Sequence, residues 1–259
     1  MRAIGRGLFL PAVAALCMAL PGCAKPSSAP KLMIFCGAGL RPAAAELLAT
    51  FASKNGIEVS ADYAGSGALL SKLKLARQGD LFMPGDKRWV DLAAQQGLIL
   101  EQKFVCYFVP TILVQKGNPK KIRGLRDLLK PGVRLGVGNA KYCAIGRVTK
   151  EIFEKNSIPW QDVERTLAFA SATVNELALH IQARSLDAVI IWDALAKQWA
   201  RYGDELPVPA KHNVISTVNI GVLKFTKNRK LAEAFVKFAA SDRGRSIFKK
   251  HGYRVDPPE

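Results

Sequence analysis

The chain has 259 residues, 49% of them apolar, and 38 Lys and Arg against 21 Asp and Glu give it a formal charge of +17. After residue 20 no apolar run reaches the length of a membrane-spanning helix, and the remainder is long enough for one large domain or two small ones. The basic residues are scattered, at 72–77, 120–126 and 224–230 among other places, with no basic tail and no aromatic-interleaved stripe; this argues against nucleic acid and for a positive surface that draws in anions.

Arg2 and Arg6 precede an apolar stretch at 8–20, broken by Pro11, too short to span a bilayer and of the length of a signal-peptide core. It ends Leu20-Pro21-Gly22-Cys23, which resembles a bacterial lipobox. Residues 1–22 therefore read as a signal peptide, with Cys23 lipidated after cleavage; ordinary cleavage nearby and a buried first helix are the alternatives. Residues 23–30, rich in proline and small polar residues, read as a tether. The expected location is periplasmic or extracytoplasmic, on a membrane through the lipid of Cys23. Of five cysteines, Cys17 leaves with the signal peptide. Cys36, Cys106 and Cys143 remain, either as one disulfide and one free thiol or as three buried thiols, and no spacing resembles a zinc site.

Short apolar runs then alternate with amphipathic stretches. Strands are predicted at 31–36, 57–63 and 80–83, and helices at 41–55, 68–78 and 87–96. A long extended stretch, 103–115, contains Pro110. A second set follows: strands at 133–137, 166–170 and 188–192, with helices at 145–155, 174–184 and 194–202. Another extended stretch, 213–224, leads to helices at 229–240 and 242–251. The βαβ order predicts an α/β fold of two lobes, each a mainly parallel sheet flanked by helices. Residues 31–108 with 221–259 form the first lobe and 109–220 the second, joined by a two-strand hinge with a ligand cleft between.

In parallel sheets ligands bind beyond the carboxyl ends of the strands, where the next helix begins. Four such junctions stand out. Ala38 and Gly39 lie in Cys36-Gly-Ala-Gly39, where glycines allow close backbone approach or simply make a tight turn. Gly65 and Ser66 precede an apolar helix; the Ser66 hydroxyl could cap it, meet an anion, or do both. Cys143, Ala144 and Ile145 open a helix whose free amides would meet the positive helix end. Arg147, one turn on, could pair with an oxyanion or be solvated. Thr173 and Val174 open the fourth, where Thr173 and Glu176 read as a capping box. Trp192 ends a strand and would close the cleft wall. Two sets of helix starts facing across a cleft suit an oxyanion held by neutral amides and hydroxyls.

An enzyme has less support. None of the three histidines, the serines or the cysteines falls in a nucleophile motif, and no spacing suggests a catalytic metal. A thiol-dependent enzyme using Cys36 or Cys143, or a soft metal or metalloid held by the two, stays open as an alternative. No cofactor is expected.

Taken in order, Ile34-Phe-Cys-Gly-Ala-Gly-Leu40, Tyr63-Ala-Gly-Ser-Gly-Ala-Leu-Leu70, Gly79-Asp-Leu-Phe-Met83, Cys143-Ala-Ile-Gly-Arg147 and Ile191-Trp-Asp193 resemble the periplasmic molybdate- and tungstate-binding proteins of ABC transporters. The resemblance runs through essentially the whole mature chain. It implies a type II periplasmic binding fold, a monomer, a tetrahedral oxyanion as ligand and an ABC permease as membrane partner. Carried over, the family's anion contacts fall on Gly39, Ser66, Ala144, Val174 and Trp192. Gly39 stands where the family has a serine and Trp192 where it has a tyrosine, so the identity of the anion stays open: sulfate, phosphate, an arsenic oxyanion and a small organic molecule remain alternatives.

Overall fold

The structure is a computed structural model that describes residues 29–258. The expected signal peptide and the lipidated Cys23 lie outside the described residues. In chain order, the first part runs β1 (Lys31–Gly37), α1 (Arg41–Asn55), β2 (Glu58–Ala64), α2 (Ser66–Ala76), β3 (Leu81–Met83), α3 (Lys87–Gln95) and β4 (Ile99–Phe108). After Val109 come β5 (Pro110–Gln115), β6 (Leu135–Gly138), α4 (Ala144–Lys155), α5 (Trp160–Thr166), β7 (Leu167–Ser171), α6 (Val174–Gln182), β8 (Ala188–Trp192), α7 (Asp193–Gln198) and β9 (Gly203–Pro207). The chain returns through β10 (Ser216–Leu223) and ends with α8 (Arg229–Ala240) and α9 (Asp242–Lys250).

Two five-stranded sheets result, ordered β2-β1-β3-β10-β4 and β7-β6-β8-β5-β9. In each, three strands joined by helical crossovers are parallel, and one strand runs against both its neighbours: β10 in the first sheet and β5 in the second. The reversed strands are the ones the chain enters on each crossing, β5 after β4 and β10 after β9. The orders are equivalent position by position, a repeat of topology with no matching repeat of sequence. β10 pairs within the first sheet from Ser216 onward, so the return crossing lies before Ser216 rather than at 221.

The central strands are covered on both faces, which is why β8, Ala-Val-Ile-Ile-Trp, is apolar without alternation and wholly buried. Two elements escaped the sequence pattern. α5 buries only Val163, and β9, Gly-Asp-Glu-Leu-Pro, is an edge strand held to β5 by backbone pairing rather than by apolar side chains. The helix expected at 194–202 stops at Gln198.

α8 and α9 pack back on the first sheet and on α1. Phe51 of α1 meets Phe235 edge-on at 5.1 Å and Phe238 at 5.6 Å. Glu46 accepts from Lys250 Nζ at 2.9 Å. Phe51→Ala removes a buried ring from this junction and is expected to cost about 3–5 kcal/mol. Urea unfolding should show it as a lower midpoint at unchanged slope.

Candidate ligand-binding cleft

The carboxyl ends of β1, β2 and β3 face those of β6, β7 and β8, and the turns leaving them line a narrow cavity of about 20 Å³. All ten residues singled out above line it: Ala38 and Gly39; Gly65 and Ser66; Cys143, Ala144 and Ile145; Thr173 and Val174; and Trp192. Gly37, Ala64, Gly85 and Phe108 complete the wall. Gly85 follows β3, so the strand-end argument applied to Met83-Pro-Gly85 would have found it. Phe108 ends the crossing strand β4 and carries no comparable signal. No Lys, Arg, His, Asp or Glu lines this cavity.

Local geometry differs from expectation at two helix starts. Ser66 is the first residue of α2 and Gly65 its N-cap, so the hydroxyl does not cap the helix. The Gly85 N–H donates to Ser66 Oγ at 3.0 Å, tying the turn after β2 to the turn after β3. A hydroxyl that accepts this bond keeps its proton to donate elsewhere. At α6 the capping box is not formed: Thr173 is the N-cap but makes no side-chain capping bond, and Glu176 accepts from Ser171 Oγ. α4 likewise begins after Cys143 without a side-chain cap. None of α2, α4 and α6 has a side-chain hydrogen bond from its N-cap residue, and each helix brings its positive end to the cavity, although the Gly67 amide is already taken by the Tyr142 carbonyl.

Cys143 sits where two of these ends converge. Burial pushes its thiol up to about 11, against the pull of the Ile145, Gly146 and Val174 amides directed at the sulfur. Burial also raises Cys36 and Cys106, and all three cysteines are free thiols, which leaves the second of the two cysteine readings. A protonated, buried thiol is a poor nucleophile. In the closed protein Cys143 should resist iodoacetamide at neutral pH, and its labelling rate should climb with pH towards 11; labelling at pH 7 at the rate of a free cysteine would contradict this. No group of three or more metal-ligating side chains occurs among the described residues.

The two sides of the cleft touch through backbone. The Gly67 N–H donates to the Tyr142 carbonyl at 3.0 Å. A Cβ on Gly65 would lie 2.2 Å from the Tyr142 oxygen, and one on Gly67 2.1 Å from the Lys141 oxygen. These glycines are thus required by the approach of the two halves. Nearby, Arg147 of α4 reaches across to Asp86, the N-cap of α3, and also pairs with Glu151. Ser216 Oγ donates to the same Asp86 carboxylate at 2.7 Å. Arg147 is committed to protein carboxylates and does not line the cavity. Gly67→Ala should leave the separate halves intact but obstruct closure, at about 1–3 kcal/mol, or about 5–150-fold in affinity. Calorimetry and small-angle scattering with ligand check this: weaker binding with a larger radius of gyration is expected.

Two mixed sheets flanked by helices, with the pocket between them, define a two-lobed solute-binding protein of the periplasmic type. The model of the bacterial extracellular solute-binding protein family matches residues 32–254, and the chain belongs to that family. Its relatives are binding proteins rather than enzymes. The molybdate-binding protein ModA of Mycobacterium tuberculosis is 27% identical over 225 residues, 86% of this chain and 84% of that protein. Among solved structures, the sulfate-binding protein SubI of Mycobacterium tuberculosis matches with a TM-score of 0.76 at 16% identity, covering 88% of each chain. The periplasmic binding protein AfuA of Actinobacillus pleuropneumoniae, with fructose-6-phosphate bound, matches with a TM-score of 0.74 at 17% identity, covering 87% of this chain and 84% of that one.

Proposed function

We propose that this protein captures a small tetrahedral oxyanion, molybdate or tungstate, between its two halves and delivers it to an ABC permease as an exported, monomeric lipoprotein held at the membrane through Cys23. The observation that carries this is the chemistry of the cavity. The starts of α2, α4 and α6, none with a side-chain hydrogen bond from its N-cap residue, and the Ser66 hydroxyl are its candidate donors, and no Lys, Arg, His, Asp or Glu lines it. Donors without acceptors suit a fully deprotonated anion, and neutral amides hold it without a buried cation that would have to be desolvated. Contact with both halves at once favours the closed form by the ligand's differential affinity. The likeness to ModA supports molybdate.

Sulfate is the second reading, supported by the fit to the fold of SubI. It is a smaller ion of the same geometry and would use the same donors.

A thermal-shift and calorimetry panel of molybdate, tungstate, sulfate, phosphate and arsenate on the purified mature protein tests both. Molybdate and tungstate should raise the melting temperature most. If neither does while another ligand does, the assignment fails. Ser66→Ala should weaken binding by about 1–3 kcal/mol, about 5–150-fold, through loss of one hydrogen bond to a charged group. Unchanged affinity would remove Ser66 from the site.

A further inference from the structure

The last residues of the chain touch both halves of the molecule. After α9 the chain turns at Gly252, in the left-handed region at φ 89°, and meets the end of β4, where the Tyr107 N–H donates to the Arg254 carbonyl at 2.7 Å. β10 pairs with the same end of β4, setting Ser216 opposite Phe108. The segment that leaves the first lobe at Val109 is therefore held both by the returning strand and by the C-terminal residues.

Neighbouring side chains of this terminal segment take partners in different lobes. Tyr253 belongs to the first. It is 2% exposed, its hydroxyl donates to the Gly39 carbonyl at 2.6 Å, and its ring meets Phe108 at 5.5 Å and Phe248 at 5.9 Å. Arg254 reaches the second, where its Nε donates to Asp193 Oδ2 at 3.1 Å. Asp193 is the first residue of α7, and its side chain is buried. The backbone follows the same path, since a Cβ on Gly252 would meet Ala194 Cα of α7 at 3.6 Å. Beside these contacts the lobes are not packed tight: Val109, Pro110 and Ile215 line a cavity of about 230 Å³ with Asp193, Arg254 and Pro258.

Asp193 keeps other partners when Arg254 withdraws. Lys197 Nζ, one turn along α7, stands 3.7 Å from Oδ2, and the Ala194 N–H donates to Oδ1 at 2.7 Å. Opening therefore does not leave the carboxylate bare, and breaking the pair costs less than stranding a buried charge. A contact of that kind biases an opening equilibrium without locking it.

We propose that the C-terminal residues are a strap on the hinge: anchored in the first lobe by Tyr253, they hold α7 of the second lobe through Arg254 and shift the balance between open and closed forms towards closure before any ligand binds. The bias does not depend on which ligand the cleft takes. Where only the closed form holds the ligand in full contact, apparent affinity rises with the fraction already closed.

Spin labels on Leu75→Cys of α2 and Leu179→Cys of α6 measure the lobe separation by double electron–electron resonance, in the mature protein with Cys23→Ser. Both positions are exposed, whereas Cys36, Cys106 and Cys143 are buried. Without ligand, Arg254→Gln should reduce the short-distance population at least about threefold and weaken molybdate binding in calorimetry by a similar factor. Arg254→Lys, which keeps the charge, should shift both less. Ligand-free distributions that coincide with and without Arg254→Gln overturn the proposal. Should Arg254→Gln fail to fold, Asp193→Asn decides, since it keeps an acceptor for the Ala194 amide and removes the charge; a ligand-free distribution unchanged by it overturns the proposal. Failure of the oxyanion reading has its own signature, no binding of molybdate or any other bare ion by the native protein, and the strap is then decided by the distances alone.

Discussion

The arrangement depends on two stretches of backbone meeting with nothing between them. Gly65 and Gly67, at the start of α2, lie against the carbonyl oxygens of Lys141, Tyr142 and Ala172, with one hydrogen bond from Gly67 to Tyr142. A single methyl group at either position would overlap an oxygen. This contact brings the start of α2 within reach of the starts of α4 and α6, which belong to the other sheet. The cavity is the space left where those three helix ends cannot quite close on each other.

Electrostatics follows from that convergence. Each helix end contributes partial positive charge, and at α4 and α6 part of it is directed at the Cys143 sulfur. No Lys, Arg or His lines the cavity, and Arg147, one turn into α4, is held by Asp86 and Glu151. The interlobe ion pair and the proposed ligand therefore do not compete for the same charge. The pair steadies closure from beside the cleft, while the cavity keeps neutral donors that select by geometry. The excess of Lys and Arg over Asp and Glu along the chain would act at longer range, by raising the local concentration of anions.

Much of the fold was legible because the two lobes use ordinary α/β periodicities. α1 and β8 lie at the residues their patterns predicted, and most other elements differ by a few residues at their ends. β9 was not legible, since an edge strand of composition Gly-Asp-Glu-Leu-Pro gets its order from β5. The equivalence of the two sheets was hidden too: strand order is a property of pairing, and each lobe fills its core with different residues. At the cleft, strand-end reasoning reached ten of the fourteen lining residues. It missed Phe108 because β4 has no helix after it, and of the roles it left open for Ser66 the cap is not taken up, because α2 begins at Ser66, ahead of the predicted 68–78.

The amino-acid sequence by itself determined the class of fold, the alternation of strands and helices, and the small and hydroxyl residues at the strand ends, because these follow from local spacing and from the conformations that glycine, serine and proline allow. Tertiary structure decided what those residues face. It gave Ser66 to Gly85, turned Arg147 to Asp86, seated Cys143 among three amides, and closed Trp192 over Gly39 and Phe108. Each of these brings together at least two separate elements, and a contact of that kind depends on how the strands and sheets are packed, which no local pattern encodes.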